Sequence, residues 1–215
     1  MPPGEFVTML TDYLLALSGF AAGAWLWPRA AGAPGRWWAA AFAITGVAAV
    51  LGGTSHGYRP VLATATHTLV WRLTYVTVGL ANLCVLQGAA LAVLSRAWAR
   101  AALVVLMARL VAVASALVAH GEFRYVLYDY GITLAGLLAF AVALGVRHRP
   151  GAGWVAAGVL ASFLGAVVQL QRIGGEHAFN HNDVFHVLQA LGLLLYARGG
   201  RDLVAGSDAR PGPTP

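Results

Sequence analysis

Residues 101–120 read AALVVLMARLVAVASALVAH, twenty residues whose one permanent charge is Arg109. A hydrocarbon core about 30 Å thick takes roughly 20 apolar residues in helical form, so this stretch predicts a membrane span. Working outward, six further stretches meet the same requirement, at about 9–27, 37–56, 67–94, 123–146, 153–172 and 181–198. Breaks rich in proline, glycine or arginine separate them: PRAAGAPGR, GYRP, SRAWAR, HGEFR, RHRPGAG and RIGGEH. The seventh stretch differs from the others by opening on a polar turn, HNDVFH. Composition agrees, because 59% of the 215 residues are apolar and only 10% charged, against about a quarter charged in a soluble domain. The mean hydropathy is +0.70. A water-soluble globule and a disordered chain are excluded. With Cys84 as the one cysteine, so is a disulfide scaffold.

The expected fold is all-α: a seven-helix transmembrane bundle over residues 1–198, followed by a disordered cytoplasmic tail over 199–215. The residues before the first apolar run hold Glu5 and no basic residue, unlike a signal peptide, so the first segment is expected to remain a span. All 14 positive residues are arginines, spread singly or in pairs, and no basic patch of the nucleic-acid kind is visible. Nine of them (Arg29, Arg36, Arg96, Arg100, Arg147, Arg149, Arg198, Arg201, Arg210) fall on one side of a seven-span topology, and Arg59, Arg124 and Arg172 on the other. The positive-inside rule then predicts an outer N-terminus and a cytoplasmic C-terminus in a multi-pass cell-membrane protein whose partners are membrane lipids. Trp25, Trp27, Trp37, Trp38, Trp98 and Trp154 gather at the predicted cytoplasmic ends as an interfacial belt.

Most of the acids and six of the seven histidines collect on the opposite side, with only His148 in a cytoplasmic loop. His56, His67, His120, His177, His181 and His186, with Asp12, Glu122, Asp129, Glu176 and Asp183, map to outer helix ends or outer loops. Charged groups at membrane depth are costly and face a bundle interior or a wet cavity, which makes them functional candidates. In NHNDVFHVLQ, Asn182, Asp183, His186 and Gln189 share one helical face, while His181 reaches it only from a non-helical entry. Asn180, Asn182 and Asp183 are equally good helix-capping residues. Imidazoles from His56 and His186, with His181 or Asp183 as a third ligand, would make a zinc site with an open position. In EFRYVLYDYG, Tyr125 and Asp129 share a face beside Tyr128, and Arg72 is the expected partner of Asp129. Arg109 is expected near mid-membrane with no acid at its level.

Seven spans with the N-terminus outside, a histidine closing segment 2 and F-H-V-L in segment 7 together resemble the CREST superfamily. That superfamily includes the alkaline ceramidases and the progestin and adipoQ receptors. Its pattern is Ser-x3-His in the second core helix, Asp in the third and His-x3-His in the seventh, with the histidines on zinc. His56 matches the first histidine and His186 the last. The serine position falls on Gly52 and the first histidine of His-x3-His on Asn182, and segment 3 has no Asp. HNDVFH with FRYVLYDY is also similar to a bacterial group of uncharacterised membrane proteins.

The resemblance implies a zinc-dependent hydrolase of a lipid amide or ester at the outer leaflet. His56, His186 and His181 or Asp183 would hold zinc, and Asp129 or Asp12 would act as base or orient a ligand. Ser55, Tyr125 or Tyr128 would stabilise an oxyanion. The alternative is a non-catalytic receptor-like or lipid-binding bundle whose polar layer is a ligand pocket or a structural network. Haem ligation by His56 and His186, or small-ion transport through the layer, is a third reading.

Overall fold

The computed structural model of the protein describes residues 3–122, 124–175 and 179–204. Glu176, His177 and the segment 205–215 therefore lie outside the described residues. Seven α-helices follow one another: α1 (Pro3–Leu26), α2 (Ala33–Tyr58), α3 (Thr64–Val93), α4 (Arg96–His120), α5 (Arg124–Val146), α6 (Ala152–Gln171) and α7 (His181–Val204), with a short 3-10 turn at Trp27–Arg29. Among the described residues there is no strand. Helices α1 to α6 are long and apolar enough to cross a membrane. At 24 residues α7 is as long, but it carries Asp183, Arg198, Arg201 and Asp202 and stands apart from those six.

Local chemistry sets the helix ends. Ser95 caps α4, its hydroxyl accepting from the Trp98 N–H. Gly121 ends that helix in the left-handed conformation, with φ 67°. Residues 199–204, expected to belong to a disordered tail, are helical instead, because α7 continues to Val204. Its extension is packed: Gly199 lies against Val155 and Gly200 against the indole of Trp38, where side chains would not fit.

Helices α1, α2, α3, α5, α6 and α7 close into a ring, with α1 packed against both α2 and α7. Helix α4 stays outside the ring against α3, burying only Ala99 and Leu117. Small residues bring α1 and α2 together. A Cβ on Gly19 would stand 2.8 Å from the Phe42 carbonyl oxygen and 2.9 Å from the Gly46 nitrogen. Van der Waals packing of this kind associates helices in lipid, where burying apolar surface against a neighbour gains little over lipid contact.

The polarity of the bundle is inverted relative to a soluble protein. Leu17, Val104, Val105, Val111 and Leu160 face outward, while Thr8, Asp12, Asn82, Asp129, Asp183 and His186 are buried. Lipid outside and a polar interior account for both. Trp98 and Trp27 are exposed, as a belt residue should be. Trp38 corrects the belt expectation: it is fully buried, edge-on to Phe42 and Tyr196, because α2 turns that face toward α7. Gly19→Leu should destabilise the detergent-solubilised protein by about 2 kcal/mol through overpacking. Gly145→Leu, at an open position on α5, should change stability by less than about 0.5 kcal/mol. Equal melting of the two variants would contradict the close α1–α2 packing.

Candidate functional site

The site begins at the first turn of α7. The Asn180 side chain accepts from the Asn182 N–H at 2.8 Å, and Asp183 Oδ2 accepts from the Asn180 N–H at 2.7 Å. This reciprocal pair is a capping box with Asn and Asp in place of Ser and Glu. Asp183 is completely buried, and its other oxygen lies 3.2 Å from the Thr11 hydroxyl on α1. The same hydroxyl lies 3.1 Å from His186 Nδ1. His186 Nε2 faces Asp12 Oδ1 at 3.3 Å. Thr8, Thr11 and Asp12 recur at helical spacing along α1, so one face of α1 meets one face of α7 through polar groups.

The α2 side continues the layer. His56 Nδ1 donates to Glu5 Oε2 at 2.9 Å, and its ring stands edge-on to Trp71. Ser55 Oγ pairs with His67 Nε2 at 3.0 Å, tying α2 to α3. Gly52 makes room for Asp12: a Cβ there would lie 3.3 Å from both carboxyl oxygens.

These groups border a cavity of about 290 Å³ inside the ring. Its polar wall includes Asp12, His56, Asn182, His186, Gln169 and Gln189, and its apolar wall includes Phe42, Val78, Leu134 and Phe185. Tyr130 donates to Gln189 Oε1 at 2.6 Å, and Gln169 donates to Asn182 Oδ1 at 2.9 Å. Three atoms of the residues lining it, Asp12 Oδ2, Gln169 Oε1 and the Tyr196 hydroxyl, are buried without a hydrogen-bond partner. Buried polar atoms in that state are rare and point to a missing partner.

A second polar knot lies between the cavity wall and α4. Arg109 Nε donates to Asp129 Oδ1 at 2.7 Å, and its terminal nitrogen donates to the Asp129 carbonyl and, at 2.6 Å, to Thr133. Asn82 donates to Asp129 Oδ2 at 2.6 Å. The expected Arg72–Asp129 pair is corrected here: Arg72 is exposed, and Arg109 is the partner. The cause is register. Helix α3 has 30 residues, about 45 Å at 1.5 Å per residue, and its first turns, level with the end of α2, run past the start of α5. Asn82, ten residues beyond Arg72, therefore stands level with Asp129.

The other expected site residues divide clearly. Asp12, His56, Asn182, His186 and Gln189 meet at the cavity. Asp183 adjoins it through the α7 cap, while His181 is half-buried in the first turn of α7 and does not line it. Ser55, Tyr125 and Tyr128 do not line it either; Tyr128 is 63% exposed, and Tyr125 stacks on His120. Sequence reading missed Glu5, Thr11, Asn82 and Gln169. The signal available for Asn82 and Gln169 was an amide inside an otherwise apolar run.

The fold and site together define a helical, membrane-embedded protein with a mainly apolar cavity that carries a few polar groups. A model for a family of unknown function, DUF6962, matches residues 7–205, and the chain belongs to that family. Neither a curated protein nor a solved structure matches it.

Removing one member of a buried ion pair strands the other, so Arg109→Met should destabilise the protein by about 3 kcal/mol. Replacing both partners, as Arg109→Met with Asp129→Leu, should recover most of that loss in thermal or denaturant unfolding. A double variant as unstable as the single one would contradict the pairing.

Proposed function

We propose that this protein is a membrane-embedded binding module that takes a small amphipathic molecule into the cavity enclosed by α1, α2, α3, α5, α6 and α7. The observation carrying this reading is the cavity itself. It combines about 290 Å³ of space and mainly apolar and aromatic walls with a few polar groups at α1, α2, α6 and α7, the usual composition of a small-molecule site. The apolar body of a ligand would lie against Phe42, Val78, Leu134 and Phe185, and its polar group would meet Asp12, His56 and Gln169. The arginine bias of the loops supports an extracytoplasmic position for this end.

The CREST likeness supports a second reading, zinc-dependent lipid hydrolysis, because His56, His186 and Asp12 border one cavity. The donor set argues against it. Both ring nitrogens of His186 face protein groups, Thr11 and Asp12. Both oxygens of Asp183 serve the α7 cap and Thr11. Among the described residues no three His, Cys, Asp or Glu side chains converge as metal ligands. We therefore assign no step to zinc, and the binding reading stands first.

Native mass spectrometry of protein purified from membranes in mild detergent tests both. Wild type should carry a one-to-one small-molecule adduct without zinc, and Val78→Trp, which fills the cavity, should lose the adduct while remaining folded. An equal adduct in Val78→Trp would overturn the cavity as binding site. Stoichiometric zinc lost in His186→Ala would overturn the choice of binding over hydrolysis.

A further inference from the structure

Besides the Tyr196 hydroxyl, the unpartnered buried atoms of the cavity wall are two acceptors. Asp12 Oδ2 and Gln169 Oε1 are buried acceptors with no donor. Asp12 is only 4% exposed, and its other oxygen faces His186. His56 gives its Nδ1 hydrogen to Glu5, so in the neutral ring Nε2 is also an acceptor. Thr45 and Thr74, both on the wall, donate to the carbonyls of Ala41 and Val70. Their hydroxyl hydrogens are spent, and lone pairs remain.

Charge follows the same direction. The acids nearest the cavity's polar wall are Asp12, Asp183 and Glu5, beside the two imidazoles of His56 and His186. No arginine lines the cavity among the described residues. Asp183 is satisfied by the Asn180 N–H and Thr11, and Glu5 by His56. Asp12 is the acid left short of donors. A carboxylate taken out of water needs either a proton or a cationic donor at the orphaned oxygen. The aromatic rings of Phe42, Trp71, Tyr75, Tyr130, Phe185 and Tyr196 form much of the remaining wall, surfaces that also attract a cation.

Resting on the binding reading above, we propose that the cavity selects an amphipathic amine, its ammonium group donating to the Asp12 carboxylate and its apolar body lying among these rings. An ammonium brings three N–H donors and no acceptor, which answers the orphaned oxygens of Asp12 and Gln169. A hydroxyl would satisfy one acceptor and leave the charge of Asp12 uncompensated. A carboxylate head would place like charge against Asp12.

Three nearly isosteric probes separate these cases: 2-phenylethylamine, 2-phenylethanol and 3-phenylpropanoate. Each is titrated calorimetrically into the full chain in lipid nanodiscs, with empty nanodiscs subtracted. The amine should bind wild type at least tenfold tighter than the alcohol, with the carboxylate weakest, and Asp12→Asn should bring amine and alcohol to within about threefold. The wild-type ranking decides even where Asp12→Asn does not fold. An alcohol binding as tightly as the amine, with both blocked by Val78→Trp, would overturn the amine preference and leave the cavity reading standing. Tightest binding of the carboxylate would overturn the preference as well. Failure of all three probes to bind would overturn this proposal and the cavity reading together.

Discussion

An ionisable side chain in a bilayer has no water to turn to, so each one must find its partners within the protein. That constraint organises the whole molecule. It pairs Arg109 with Asp129, and it is why Asn82 donates to the same carboxylate while Thr133 accepts from Arg109. It closes the ring at α1 and α7, where Thr11 stands between Asp183 and His186. The apolar exterior needs no specific partner, and close approach of small residues such as Gly19 and Gly46 suffices to pack the helices there.

Arg109 illustrates how the constraint shapes architecture beyond its own contacts. Helix α4 buries very little of itself, yet its one charged mid-helix residue reaches across to α5. The pair thus fastens a helix that packing alone holds weakly. The same knot touches the cavity, since Asn82 and Thr133 belong both to the wall and to the Asp129 network. Cavity shape and α4 attachment are therefore linked through one carboxylate.

Much of this was legible in the amino acids. The helices follow the apolar runs to within a few residues, because hydrocarbon thickness leaves little freedom in span length. Asp12, His56 and His186 could be put in one layer because each is an expensive residue at similar depth. Asn182 and Gln189 followed by sharing the His186 face, while Arg72, Asp129 and Asp183 of the same expected layer do not line the cavity. What was not legible depends on register and three-dimensional space. Counting from helix starts put Arg72 opposite Asp129, and the overshoot of α3 moved Asn82 there instead. Asp183 reads equally as a ligand or a cap until the Asn180 N–H is seen to fill one of its oxygens. No spacing rule announces that Gly52 makes room for the Asp12 carboxyl, or that two wall acceptors lack donors.

The central claim is that a membrane-enclosed cavity holds an amphipathic molecule against Asp12. The most direct test is an experimental density map of the protein extracted with its native lipids and never exposed to harsh detergent. The account predicts an elongated density inside the ring, with its polar end about 3 Å from the Asp12 carboxylate. A cavity closed by repacked side chains of α5 and α7, or a metal bridging His56 and His186, would contradict it.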